Sequence, residues 1–328
     1  MFSKRIEFAQ CKFGPLFSRD SEAIFFNPET PSHCLSLSLD ELVAYQTLFP
    51  VVDQLETAGI KCVQIISQCK FNLAVISIPK SKKLARHLIY LATKAVPEGL
   101  IIVDGNKSDG IESIIRDLEK KIKITNVISK AHGKTTWFET PADLEMYKDI
   151  PLKIEDGFET QAGVFSSDGV DPASKLLIEL LPRDLKGVGA DLGGGWGYLS
   201  AKALETNSIR ELHFIEADFT AMSLAKNNLN DKRLKFHWCD ALKWKAPKLL
   251  DFIIMNPPFH HLGRAIPTLG VDFIKVASRN LKKSGTLWMV ANRHLPYEDA
   301  IQRHFSSFSE LSRSKKFKVI RAQNPINF

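Results

Sequence analysis

Cysteine is scarce in this sequence and never spaced for pairing. The five cysteines, at positions 11, 34, 62, 69 and 239, are odd in number and form no Cys-x-x-Cys. That pattern excludes a disulfide framework and a zinc ribbon, and it is the pattern of reduced thiols in a cytoplasmic protein with no metal site. Long apolar runs are also missing, since no stretch reaches the ~18 residues of a membrane span. The first twenty residues contain Lys4, Arg5, Glu7 and Lys12 and no apolar core, so no signal peptide is expected. Two glycine signatures are absent as well. Without Gly-x-x-x-x-Gly-Lys-Ser/Thr there is no phosphate loop, and the one-three-six spacing of a dinucleotide site is not found.

The chain has 328 residues, 44% of them hydrophobic, which is enough for two domains with full cores. Charge is unevenly placed. Residues 1–150 hold 19 Lys and Arg against 18 Asp and Glu, a net +1, whereas the remainder holds 25 against 19, a net +6. A basic surplus in one half suits a polyanion such as RNA.

The strongest local signal is Phe252-Ile-Ile-Met-Asn256-Pro257-Pro258-Phe259. An apolar strand here delivers four residues to the carboxyl edge of a sheet, where open α/β folds bind ligands. The Asn256 side-chain oxygen can accept a hydrogen from an –NH2 group. Two consecutive prolines stiffen the turn, so the Pro257 carbonyl becomes a second fixed acceptor. Phe259 offers a flat face for a planar base. This grouping suits methylation of an exocyclic amine.

A second strand ends at Asp191-Leu192 and runs into Gly193-Gly-Gly195-Trp-Gly197, followed by a helix-like stretch from Tyr198. Glycines allow the sharp turn and the close approach of a ligand. Asp191 suits a cationic or amine-bearing ligand, and S-adenosylmethionine has both a sulfonium and an α-amino group. The next strand ends at Glu216, 23 residues after Gly193, a distance at which an acid can hold two ribose hydroxyls; Asp218 is the neighbouring alternative. A further strand, from Leu234, ends near Asp240, which can accept an adenine amino group.

Together these residues resemble the class I S-adenosylmethionine-dependent methyltransferases, and more narrowly the RsmC/RlmG family of ribosomal RNA guanine-N2 methyltransferases. The closer likeness is carried by Gly163-Val-Phe-Ser-Ser-Asp-Gly-Val-Asp171-Pro-Ala-Ser174, by Asn256-Pro-Pro-Phe259-His260, by Val290-Ala-Asn292-Arg-His-Leu-Pro-Tyr297 and by Lys316-Phe-Lys-Val-Ile-Arg-Ala322. The resemblance spans residues 72–322. Gly194 stands where the family commonly has a cysteine. The resemblance implies S-adenosylmethionine as cofactor, Asp191, Gly193, Gly195, Gly197, Glu216, Asp240 and Asn256 as its contacts, and Asn256, Pro257 and Phe259 as the catalytic group. It implies guanosine N2 in ribosomal RNA, small-subunit 16S RNA foremost, as the target. Adenine N6, a protein glutamine and a non-catalytic RNA-binding role stand as alternatives. Oligomeric state is open, with a monomer favoured.

The two halves read as copies. Leu73–Pro79 parallels Asp251–Pro257, Glu98–Asn106 parallels Ser284–Asn292, and Lys134–Phe138 parallels Lys316–Ile320, with helix-like stretches between them (85–95 and 271–281; 110–121 and 298–308). The expected architecture is α/β, with two tandem Rossmann-like class I methyltransferase domains. Residues 1–140 form a degenerate domain for RNA recognition or support, 141–162 a linker, and 163–328 the catalytic domain. If Pro79 matches Pro257, Ile78 occupies the place of Asn256 and can accept nothing. The last strand, 316–322, is expected to be antiparallel, followed by an extended tail.

Overall fold

A computed structural model describes residues 2–67, 70–258, 260–261, 264–265, 267–312 and 314–326. It resolves into two compact units, Met1–Ile150 and Pro151–Phe328. Among the described residues, unit one carries strands β1 (Ala23–Phe26), β2 (Leu42–Tyr45), β3 (Lys61–Val63), β4 (Leu73–Ser77), β5 (Gly99–Asn106), β6 (Asn126–Lys130) and β7 (Gly133–Thr140). Its helices are α1 (Phe2–Phe13), α2 (Pro31–Leu35), α3 (Phe49–Thr57), α4 (Lys82–Ala95) and α5 (Ile111–Glu119).

Unit two opens with a small hairpin, β8 (Leu152–Lys153) and β9 (Glu159–Thr160). Its main strands are β10 (Gly187–Leu192), β11 (Ile209–Glu216), β12 (Leu234–Trp238), β13 (Leu250–Met255), β16 (Leu281–Asn292), β17 (Phe305–Glu310) and β18 (Phe317–Pro325). A short antiparallel pair, β14 (His260–His261) and β15 (Arg264–Ala265), follows β13. The helices are α6 (Pro172–Leu180), α7 (Tyr198–Ala203), α8 (Phe219–Asn228), α9 (Pro267–Asn280) and α10 (Glu298–His304).

The two seven-stranded sheets have the same order. Unit one runs β3-β2-β1-β4-β5-β7-β6 and unit two β12-β11-β10-β13-β16-β18-β17. In each, the penultimate strand, β7 or β18, pairs antiparallel with both of its neighbours, and every other pairing is parallel. The sequence parallels therefore fall on matching strands: β4 on β13, β5 on β16 and β7 on β18.

Central parallel strands are apolar on both faces because helices cover both. β13 shows this directly. Ile253 and Met255 pack with Phe273, Ile274 and Leu287 in one cluster, while Phe252 and Ile254 pack with Leu177, Phe214 and Trp288 in another. Helix α4 packs through Ala85, Leu88, Ile89, Ala92 and Ala95, a stripe at helical spacing. Its start is set by the Ser81 hydroxyl, which accepts the Leu84 amide at 3.3 Å.

Three details differ from the sequence reading. The helix expected over 298–308 stops at His304, and Phe305–Glu310 pairs with β18 as an edge strand. The run Phe-Ser-Ser-Phe-Ser is poor helix material because serine competes for backbone bonds. The expected tail begins inside β18, where Gln323 pairs with Thr286 and Pro325 with Phe305. The segment 141–162 is shared between the units: Leu144 and Tyr147 bury in the core of unit one, and Phe158 packs with Val164 and Trp196 in unit two.

Candidate active site

The parallel register of unit two brings the carboxyl ends of four strands into a row. Leu192 pairs with Ile215, Glu216 with Trp238, and Asp191 with Ile254. Asp240, Glu216, Gly193 and Asn256 each follow or close one of these strands, so the sequence-predicted residues lie along one edge in that order.

The glycine loop is pinned from below. The amides of Gly193 and Gly194 both donate to the Ile215 carbonyl, at 2.9 and 3.0 Å. Gly193, Gly195 and Gly197 have φ of +75°, +59° and +103°, the left-handed region that favours glycine. A Cβ on Gly195 meets nothing within 4 Å, so this loop backbone is open to a ligand. A Cβ on Gly194 would stand 2.3 Å from the Phe214 ring, which is why no larger residue fits at this position here.

Asn256 lines a pocket with Gly193, Gly194, Gly195, Phe165 and Ser174. Its Nδ2 donates to Asp171 Oδ2 at 2.9 Å and lies 3.0 Å from Ser174 Oγ. A carboxylate only accepts, so these bonds fix which end of the amide is which and leave Oδ1 as a directed acceptor. Asp171 is itself held in place. It caps α6, the same Oδ2 accepting the Ser174 amide at 2.9 Å, with Pro172 at the first helical position, a favoured start. Asp171 and Ser174 were not among the expected site residues. The Asp-Pro-x-Ser spacing signals a helix start, and nothing in it points 85 residues on to Asn256. Pro257 is buried. Phe259 lies outside the described residues; the aromatics lining the pocket among the described residues are Phe165, 56% exposed, Trp196 and Tyr198.

The three acids are held in different ways. Asp191 is fully buried, with Oδ2 accepting from the Ser200 hydroxyl of α7 at 2.7 Å and Oδ1 without a partner among the described residues. Burial pushes its carboxyl up to about 7; the Ser200 bond opposes this and the Glu216 charge adds to it. Glu216 straddles the loop: Oε1 accepts the amides of Ala217 and Asp218 at 2.8 Å each, and Oε2 accepts the Gly195 amide at 2.8 Å. Burial also pushes this carboxyl up to about 7, against those amide donors. Asp240 accepts the Leu242 amide at 2.9 Å and stands at the β12 end of the row. A buried carboxylate oxygen lacking a donor costs about 1–3 kcal/mol. Together with the open Gly195 backbone, it fits a ligand that brings a cation or N–H groups.

Among its described residues, unit one does not repeat this equipment. Phe25 pairs with Val75 as Asp191 pairs with Ile254. Counted from that register, Ser77 rather than Ile78 stands at the place of Asn256, and neither side chain offers an amide.

Sheet order, glycine loop and fixed amide define the architecture of a class I methyltransferase. The chain belongs to the methyltransferase small domain family, whose model matches residues 155–321. Ribosomal RNA small subunit methyltransferase C of Shewanella loihica is 32% identical over 282 residues, covering 80% of this chain and 81% of that protein. Ribosomal RNA large subunit methyltransferase G of Yersinia pestis is 29% identical over 326 residues, covering 94% of this chain and 78% of that protein. Among solved structures, the T. thermophilus 16S rRNA N2 G1207 methyltransferase (RsmC), in complex with AdoMet and guanosine, superposes with a TM-score of 0.78 at 22% identity, over 97% of this chain and 91% of that one.

Proposed function

We propose that this chain transfers the methyl group of S-adenosylmethionine to the exocyclic N2 of a guanosine in ribosomal RNA, with 16S RNA of the small subunit as the first candidate and the cytoplasm as its place of action. The observation that carries this reading is the Asn256 amide, whose two donors are turned toward Asp171 and Ser174 so that its oxygen is left to accept.

When bound, S-adenosylmethionine supplies a methyl carbon activated by its sulfonium. The residues along the edge fit it. Asp191, with its spare buried oxygen, would hold the amino group, Gly193, Gly195 and Gly197 would allow close approach, Glu216 would hold the ribose hydroxyls, and Asp240 would accept the adenine amine. The guanine amine is a weak nucleophile because its lone pair is delocalised into the ring. Asn256 Oδ1 and the Pro257 carbonyl would each accept one N–H and favour a more tetrahedral nitrogen. Positive charge grows on that nitrogen as the N–C bond forms and the S–C bond breaks, and pre-aimed carbonyl dipoles stabilise it. The methylated amine then loses its proton to water. Phe259 is the proposed stacking face for a flipped base.

The test is nucleoside mass spectrometry after incubation with S-adenosylmethionine and, separately, small subunits, large subunits and the two naked RNAs. The expected product is N2-methylguanosine in small-subunit RNA. Product in large-subunit RNA alone would move the target to the other relative's substrate. N6-methyladenosine, or no product in any RNA, would overturn the reading.

A further inference from the structure

The surplus charge of unit two has a built location. Arg293 and His294 follow β16, Lys315 and Lys316 precede β18, and all four are exposed and line one concavity with Asn292 and Phe317. Asn292 pairs directly with Phe317, so the two basic pairs meet at the ends of adjacent strands.

The turn that displays the lysines is fixed from within. Arg293 Nε donates to the Ser314 carbonyl at 2.7 Å, and its Nη2 to the Phe317 carbonyl at 3.1 Å and to Glu310 at 2.6 Å. The Arg293 amide donates to the Lys316 carbonyl at 2.9 Å. Ser314 Oγ accepts the amides of Lys316 and Phe317, both at 3.2 Å. Arg293 is therefore occupied as a strap. Lys315 and Lys316 form no ion pair among the described residues, whereas Lys318 is buried and engaged by Glu298 and the Leu295 carbonyl. A preordered turn loses little entropy on binding, and a lysine is a point-charge phosphate ligand.

The place matters as much as the charge. Met289 of β16 pairs with Met255, and Asn292 lies three residues beyond it, roughly 10 Å along the strand. The turn thus rises from the same carboxyl edge as Asn256, two strands across. We propose that the 314–317 turn, strapped by Arg293, binds backbone phosphates of a single-stranded RNA segment adjoining the methylated nucleotide. The inference rests on the proposed function for the identity of that strand.

The experiment compares the full chain with the Lys315→Glu/Lys316→Glu variant, using a labelled single-stranded oligoribonucleotide at several KCl concentrations. A Lys232→Glu/Lys235→Glu variant serves as the charge control. Losing two phosphate contacts should lower the slope of log affinity against log salt by about 1.4 and weaken binding about tenfold or more at low salt. The control should change far less. S-adenosylmethionine binding by calorimetry and kcat at saturating RNA should match the parent. Unchanged RNA affinity and slope, or an equal loss in the control, would overturn the inference. A parent chain that methylates no RNA would instead sink the proposed function, while the slopes still decide whether the turn holds phosphate.

Discussion

Glu216 and Gln46 occupy the same place in the two sheets and meet the neighbouring loop with opposite polarity. In unit one the Asn27 amide donates to the Tyr45 carbonyl at 2.9 Å, as Gly193 does to Ile215 in unit two. Gln46 follows Tyr45 as Glu216 follows Ile215. Its Oε1 accepts the Thr47 and Leu48 amides, each at 2.9 Å, just as Glu216 takes those of Ala217 and Asp218. The other end differs. Gln46 Nε2 donates to the Pro28 carbonyl at 2.9 Å, whereas Glu216 Oε2 accepts the Gly195 amide. Glu216→Gln should therefore turn an N–H toward the N–H of Gly195 and disturb the loop. We expect S-adenosylmethionine affinity, read by calorimetry, to fall about tenfold or more, in line with the ~1–3 kcal/mol of an unsatisfied buried donor.

The pH dependence of cofactor binding should follow the two raised carboxyls. Asp191 and Glu216 are both pushed up to about 7 by burial, so the ligand-free protein holds their protons at pH 6 while the unfolded chain has released them. Between the unfolded values and about 7 the folded state binds more protons, so this contribution to stability is present at low pH and is lost as pH rises through about 7. A cationic ligand favours the ionised carboxyls. Affinity for S-adenosylmethionine should rise from pH 6 to pH 8, with protons released on binding, visible as a dependence of the calorimetric enthalpy on buffer. The Asp191→Asn variant should lose part of that proton release.

The bond from Asn256 to Asp171 predicts a graded series. Asp171→Ala removes both the acceptor for Nδ2 and the α6 cap, and should cost about 1 kcal/mol of stability together with a clear fall in kcat. Asp171→Asn keeps an acceptor oxygen and should retain most of the activity. Ser174→Ala should fall between the two. S-adenosylmethionine affinity should stay near the parent value throughout, which separates orientation of the amide from collapse of the site.

Gly194→Cys restores the residue common in the family and should be harmful here. Its Cβ would sit 2.3 Å from the Phe214 ring, an overpacking worth about 1–3 kcal/mol. Thermal unfolding should show the loss, and adding Phe214→Leu should recover part of it.

In unit one, Arg5 and Asp104 form a buried pair, each side chain 2% exposed, with Nε to Oδ1 at 2.7 Å and Nη2 to Oδ2 at 2.6 Å. Arg5→Ala leaves Asp104 unpaired in the core and should cost about 3–5 kcal/mol. Hydrogen exchange over β5 and β7 should accelerate accordingly.

Much of this was legible in the residues because central parallel strands read plainly. Phe252–Met255 is an apolar run ending at Asn256, Gly187–Leu192 is a strand running through Asp191 into the glycine loop, and the structure puts their ends side by side. The edge strands beside β7 and β18 were not legible. Asn126–Lys130 buries only Ile128, and Phe305–Glu310 only Phe305, so neither shows a clear period. The partners of Asn256 were hidden for another reason. Asp171 and Ser174 lie on a separate helix, and only tertiary packing brings them to β13. Likewise, the reason for the departure at Gly194 is the Phe214 ring beneath it, a contact made only by folding.

The most direct measurement is single-turnover methyl transfer to the identified RNA by Asn256→Ala beside the parent chain, with nucleoside mass spectrometry and cofactor calorimetry on both. The account predicts N2-methylguanosine from the parent, a rate lower by about 10²–10³ in the variant, and a far smaller fall in S-adenosylmethionine affinity. An undiminished rate in the variant would contradict it.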